Sequence, residues 1–396
     1  MSKGTIIYLG GFDLPDKNAA AQRVISVSKS LISLGYDILL LGLSKDLTYG
    51  DGIIEIESNI TNIRMLQKAY PTTRKQWLKH IIYCNQEINL ISSVSSVKAV
   101  ICYNYPAVLL WKINKYCISH KIKLIADITE WYESANKGLI YNLVKSIDTN
   151  LRMKYVHAKL DNVMCISRYL QNYYKTRVPN CILVPGTIDK KDDKWNQLKK
   201  YMPNEVFTLG YAGNPGDNCE KERIDLLIKA ICQLNEEGNL CYLNLAGFDK
   251  KQFELNYPQL LDNRYYNKCI FYLGKVSHKE CLQLISNVDF SVIIREDKLV
   301  TRAGFPTKLS ESFACGTPVI ATSTSNVSEF IIDDKNGLLV EDCSYQELIK
   351  IIRKAVKYKY EKLIEMHAFT RENNQLVYEE YNNLIGAFIN NEKETV

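Results

Sequence analysis

Strand-like and helix-like stretches alternate along this chain, and the alternation runs twice. Short β-branched runs at Thr5–Leu9, Asp37–Leu43, Ala99–Tyr103, Lys123–Ala126, Asn162–Ile166 and Cys181–Val184 are separated by longer amphipathic segments, the first at Ala19–Leu34. Continuous apolar strands, each followed by a helix, imply a parallel sheet covered on both faces. The rhythm stops at "DKKDDKWNQLKKYMPN" (189–204), which is charged, poor in apolar residues and reads as a linker. It restarts with strands expected at Val206–Tyr211, Leu240–Ala246, Cys269–Tyr272, Phe290–Ile294 and Pro318–Ala321, and a helix at Ile224–Leu234. The expected architecture is α/β: two doubly wound, Rossmann-like halves facing an interdomain cleft, with ligands beyond the carboxyl ends of the strands. The expected domains are 1–188, a linker at 189–204 and 205–372, before a helical tail at 373–396.

A chain of 396 residues has two domains as its natural expectation. No apolar run approaches the ~20 residues of a membrane helix, and the first residues do not read as a signal peptide. The 12 cysteines include no CxxC pair, which points to reduced, packed thiols and a cytoplasmic setting. The net charge of +6 is uneven: residues 1–188 hold 23 Lys+Arg against 13 Asp+Glu, giving +10, and the remainder holds 27 against 31, giving −4. A basic first half suits an anionic partner such as a membrane surface, and equally a solvated surface with no partner.

Five stretches could carry chemistry. In "YLGGFDLPDKNAAAQRV" (8–24) a strand runs into Gly10-Gly11, where a backbone can approach a ligand, although an ordinary βα turn looks the same. "IADITEWYES" (125–134) clusters Asp127, Glu130 and Glu133 beside Trp131 and Tyr132, a set suited to sugar hydroxyls and sugar faces. Glu130 could serve as general base toward an acceptor hydroxyl; an acid-rich helix start would read identically. "GYAGNPGDNCEKERIDLLIKA" (210–230) repeats the strand–glycine–helix plan around Gly213, with Lys221 and Arg223 at the helix start. "SVIIREDK" (291–298) and "AGFPTKLSESFACGTPVIAT" (303–322) then supply Arg295, a Pro306 suited to the first helical position, and Lys308 and Glu311 one turn apart. Lys221, Arg295 and Lys308 could surround one diphosphate, and Glu311 could accept both hydroxyls of a ribose.

Several chemistries lack their signature. There is no GxxxxGK[ST], no HExxH and no DxD triplet, and the five histidines show no metal spacing, so they read as surface or core residues and no metal site is expected.

The second half resembles the family-four retaining glycosyltransferases of GT-B fold, on "GNPGDNCEKERIDLLIKAI", "IFYLGKVSHKECLQLISNVDFSVIIR", "GFPTKLSESFACGTPVIAT" and "NGLLV". The first half agrees through "GGFDLPDKNAAAQRVISVSKSLISLGYDILLLG" and "CILVPGTID", and bacterial members that build surface polysaccharides are the nearest in character. The resemblance implies a nucleotide-sugar donor in the second domain, an acceptor in the first, and a tail helix that returns to the first domain. It places Glu311 on the ribose, as the second glutamate of E-x7-E, and Lys221 on the diphosphate. It places Gly304 and Phe305, with Pro306, Thr307 and Leu309, in the donor-facing turn. Gly274-Lys275-Val276 falls at the base, and Gly10-Gly11 near donor phosphate and sugar. Two positions depart from the pattern: the first motif glutamate is Ala303, and an arginine common after the first strand is here Asn214-Pro215.

The resulting expectation is a metal-independent hexosyltransferase working from a UDP-sugar, with no further cofactor. Its acceptor would be a glycan or lipid-linked sugar held by Asp127, Trp131 and Tyr132, and Glu130, Lys221, Arg295 and Lys308 would do the catalysis. Two rivals stay open: an inactive transferase-like binding partner, favoured by Ala303, and a sugar-nucleotide epimerase of similar fold. Amphipathic, Lys/Arg-bearing segments at 71–91 and 142–160 would let the first domain rest on the inner face of an anionic membrane, or would simply be core helices. No nucleic-acid motif is present.

Overall fold

The structure, a computed structural model, describes residues 2–132, 139–198, 201–216, 219 and 221–392. The chain divides into two compact units, Met1–Asp189 with Val377–Val396, and Lys190–Leu376.

The first unit is built on an eight-stranded sheet. Its strands are β1 (Thr5–Gly10), β2 (Asp37–Ser44), β3 (Ile53–Ile56), β4 (Ile63–Ala69), β5 (Val97–Tyr103), β6 (Lys123–Ile128), β7 (Asn162–Cys165) and β8 (Asn180–Leu183). They lie in the order β3-β4-β2-β1-β5-β6-β7-β8, all parallel except the β3–β4 pair. The order reverses between β1 and β5, which makes the end of β1 the switch point where such sheets bind ligands. β1 is wholly apolar and buried from Ile6 to Leu9, as a central strand covered on both faces must be. The helix Ala19–Ser33 starts at Asn18, whose side chain accepts from the amide of Ala21, and it packs Val24, Val27 and Leu31 onto the sheet.

The second unit has six parallel strands: β9 (Phe207–Ala212), β10 (Cys241–Ala246), β11 (Ile270–Gly274), β12 (Phe290–Ile293), β13 (Val319–Thr322) and β14 (Gly337–Val340). Their order is β11-β10-β9-β12-β13-β14, with the switch between β9 and β12. The helix Ile224–Glu236 buries Ile224, Leu227, Ile228 and Ile231 against this sheet.

One expectation about the boundaries shifts. The segment 189–204 is packed rather than extended: Trp195 and Leu198 lie against the cluster around Ala246 and Leu282, and Tyr201 is buried, bonded to Asp289 and stacked on His367. Lys191 and Asp193 are exposed, while a few apolar residues anchor the segment to the second unit. The tail expected at 373–396 carries the helix Asn382–Asn390, which belongs to the first unit, whereas the helix before it, Tyr360–Glu372, belongs to the second. Asn382–Asn390 adds Ile385, Phe388 and Ile389 to the first unit's core.

The 12 cysteines are all free thiols. Among the described residues no helix is long and apolar enough to cross a membrane.

Candidate active site

Each unit carries one cluster of the residues singled out above. In the second unit β9 ends at Ala212 and the chain turns at Gly213, whose φ of +144° is accessible mainly to glycine. A Cβ on Gly213 would lie 2.4 Å from Lys308 Cε and 2.8 Å from its Nζ. The bare backbone is therefore the channel along which the Lys308 side chain runs.

Lys308 does not end in solvent. Its Nζ donates to Oε2 of Glu222 at 2.5 Å, and Arg295 donates to Oε1 of the same carboxylate from Nε at 3.1 Å and Nη2 at 2.8 Å. The Tyr211 hydroxyl donates to Oε2 as well. Glu222 is fully buried, while Arg295 and Lys308 keep 15% and 20% of their side-chain surface exposed. Burial alone would push the Glu222 carboxyl up; Lys308, Arg295 and the two side-chain hydrogen bonds overcome it and hold it at about 2. Burial also pushes the Lys308 ammonium below its usual value, against the pull of Glu222. The same two causes raise the Tyr211 phenol, which stays a donor. Two cations and one carboxylate leave a net charge of +1 at a partly open edge.

The neighbouring helix, Thr307–Cys315, begins at the same edge. Pro306 is its N-cap rather than its first residue, and no side chain caps the turn. Such a turn presents backbone N–H groups and the positive end of the helix dipole. Leu309 corrects one expectation: its side chain is buried and its amide already donates to Pro306 O at 3.0 Å, so neither is available to a nucleotide. Phe305 is buried edge-on against Phe330, leaving only its backbone for a ligand. Glu311 keeps 22% of its side chain exposed and accepts from His278 Nε2 through Oε1 at 2.9 Å. Gly304 closes the preceding short helix, and Ala303 is buried. Gly274 turns with φ +72° before exposed Lys275 and half-buried Val276.

The Lys221 side chain is exposed and is not among the donors on Glu222, and its amide donates to Pro215 O at 3.0 Å. Arg223 is spent on Asp225 and Glu296. The cation pair is thus Arg295 and Lys308. The residue that joins them, Glu222, was hidden inside the charged run "EKER", which reads as a solvated surface. His278, read as a surface or core histidine, is exposed and bonds the candidate ribose carboxylate.

In the first unit Gly10 is packed, with a Cβ there only 2.7 Å from Tyr103 Cβ, while a Cβ on Gly11 would meet nothing within 4 Å. Gly11 therefore faces open space at the switch point. Asp127 is not an acceptor residue: it is fully buried, salt-bridged to Arg23 at 2.6 Å and bonded to the Tyr8 hydroxyl. Arg23 in turn donates to Val184 O and Pro185 O, so the group ties β1, β6 and the chain after β8 together. Trp131 is 7% exposed, edge-on to Tyr173 at 5.0 Å, and offers little ring face to a sugar. Tyr132 is exposed, with Lys145 Nζ 4.1 Å from its ring centre. Glu130 is half-buried and acts electrostatically on Tyr103 and Arg152. Glu133 lies outside the described residues. Among the described residues no group of three or more His, Cys, Asp or Glu could hold a metal ion.

Comparison with known proteins bears on the same regions. Residues 214–375 match the model of the family described as glycosyl transferases group 1. An uncharacterized glycosyltransferase of Methanocaldococcus jannaschii, MJ1178, is 24% identical over 210 residues, 50% of each chain. The chain spans about half the length of the curated relatives it matches. Among solved structures, sucrose-phosphate synthase from Thermosynechococcus elongatus superposes with a TM-score of 0.70 at 14% identity, covering 98% of both chains. Anabaena Alr3699/HepE, solved in complex with UDP, superposes at 0.66 and 13% identity, covering 98% of this chain and 100% of that one.

Proposed function

We propose that the protein is a retaining glycosyltransferase, a reading supported by the match of residues 214–375 to the glycosyl transferases group 1 model and by the GT-B fold. It would move a hexose from a nucleotide-sugar, a UDP-sugar in our reading, to a hydroxyl of a glycan or lipid-linked acceptor in surface polysaccharide synthesis. The observation that carries this is the Arg295–Lys308 pair, partly exposed beside the start of helix Thr307–Cys315. Two cations and an open helix N-terminus favour a diphosphate. Glu311, one turn along, suits the ribose hydroxyls. That Anabaena HepE was solved with UDP supports the choice of base.

In this reading the bond from the anomeric carbon to the diphosphate oxygen breaks and a bond to the acceptor oxygen forms on the same face. The departing oxygen takes the acceptor proton. Arg295, Lys308 and the helix N-terminus stabilise the charge that builds on that oxygen, and no metal ion is required of them. Losing one such donor costs on the order of a hundredfold or more in rate. Glu130 and Tyr132 of the first unit are assigned to the acceptor.

A thermal-shift panel of UDP, GDP and ADP, followed by transfer assays with the matching sugar nucleotides in EDTA, tests the proposal. UDP stabilisation with transfer and retained anomeric configuration is the expected result. UDP binding without transfer or hydrolysis across the panel would favour an inactive binding protein, the reading that Ala303 supports. Product formed from donor alone would indicate an epimerase.

The first unit also presents an exposed apolar stripe, Leu143, Ile147, Leu151 and Tyr155, with Lys154 and Lys159 exposed close by in sequence. We assign this stripe to an anionic membrane surface. Salt-sensitive pelleting with phosphatidylglycerol vesicles is expected, and no binding at low salt would end the assignment.

A further inference from the structure

We propose that Glu222 is a positioning residue: it holds Lys308 charged and fixed beside Arg295, so that the anion site is assembled before any ligand arrives. This rests on the donor-site reading above. The geometry is specific. One buried carboxylate receives four donors, two from Arg295 and one each from Lys308 and Tyr211. Arg295 is fixed at its backbone too, its amide donating to Thr322 Oγ1 at 2.8 Å. Lys308 spends one of its three ammonium hydrogens on Glu222, and Arg295 leaves Nη1 off the carboxylate, so both keep donors for an incoming phosphate.

The groups acting on Lys308 come from several elements. Burial and Arg295 both lower its proton affinity; Glu222 and, more weakly, Glu311 on its own helix raise it. Tyr211 lies under the ammonium at 4.8 Å, and the Cys281 thiol is within electrostatic reach. Glu222 bonds the ammonium directly and is the strongest of the groups that keep it protonated. A glutamine in its place would keep the shape but lose the charge. Its amide nitrogen is a donor and cannot satisfy a second donor at that point.

The test reads Lys308 itself. Amine labelling with acetic anhydride across pH 6–11, followed by peptide mass spectrometry, gives the titration of Lys308 in the wild type and in Glu222→Gln. The expected result is a fall of more than one pH unit in the midpoint for E222Q. In parallel, calorimetric binding of UDP at pH 6.5 and 8.5 should be nearly flat for the wild type. It should weaken about tenfold for E222Q at the higher pH, and be restored to flat in E222Q with Lys308→Arg, whose charge does not titrate here. Should E222Q fail to fold, Glu222→Asp, which keeps the charge one methylene further away, should show a smaller fall of the same sign. An unchanged midpoint in E222Q or E222D, or a double variant as pH-sensitive as E222Q, overturns the proposal. If the wild type binds no UDP at either pH, the donor-site reading falls, and the labelling still decides what Glu222 does to Lys308.

Discussion

Lys308→Ala is the perturbation whose consequences change most once the structure is known. From sequence, it should lower turnover far more than stability, because a lysine at a helix start is usually solvated. In the fold it neutralises a fully buried carboxylate. The Glu222 carboxyl is held at about 2 against an ordinary 4.5, and at ~1.4 kcal/mol per unit this amounts to about 3 kcal/mol net, after the opposing cost of burial is subtracted from the pull of its partners. Lys308 is the largest of the influences that lower it. Its loss should therefore remove roughly 1–3 kcal/mol, with part returned because burying the ammonium is itself costly. The sign follows from the depressed value: the stabilisation is complete above about 4.5 and is lost as pH falls toward about 2. The deficit of Lys308→Ala should thus be present at pH 7 and shrink on acidification to pH 3.5. Urea denaturation read by hydrogen–deuterium exchange of second-unit peptides is the suitable assay, because a chain of two units need not unfold in one step. A deficit below ~0.5 kcal/mol at pH 7, or one that does not shrink with acid, would refute the reasoning.

Three further outcomes are expected. Gly213→Ala places a Cβ 2.4 Å from Lys308 Cε at a φ of +144°; it should cost ~1–3 kcal/mol in thermal or urea stability and weaken UDP binding by displacing the lysine. Asp127→Asn should destabilise the first unit by ~3–5 kcal/mol, because Arg23 is left buried without its countercharge; a soluble variant with wild-type stability and a raised acceptor KM would instead restore Asp127 to the acceptor site. Glu311→Ala should weaken UDP binding by about 10- to 100-fold, the cost of hydrogen bonds to a charged group, while leaving inorganic pyrophosphate binding within about twofold; equal losses for both ligands would take Glu311 off the ribose.

The double α/β rhythm was legible because central parallel strands are apolar on both faces, so Ile6–Leu9 and Leu39–Leu41 announce themselves. Of the strands that escaped notice, β3 and β14 sit at sheet edges and β4 lies between β3 and β2. In β3 and β4 residues such as Glu55, Arg64 and Lys68 interrupt the apolar run, because strands at or next to an edge need burial on fewer sides. In the site, Arg295, Lys308 and Glu311 were legible from their place beyond strands or at a helix start. Lys221 looked equivalent to them, since nothing local separates an exposed lysine from one that folds back across a glycine. Glu222 was invisible for the same reason: its burial depends on Tyr211, Arg295 and Lys308, which are 11, 73 and 86 residues away in sequence. Asp127 misled because an acid at a strand end looks alike whether it faces ligand or Arg23.

The most direct measurement is calorimetric binding of UDP and uridine to the wild type and to Arg295→Ala with Lys308→Ala. If Arg295, Lys308 and the helix start hold a diphosphate, UDP binds much more tightly than uridine, and the double variant reduces UDP binding to the uridine level. UDP and uridine binding alike, or a double variant that keeps full preference for UDP, would contradict the account.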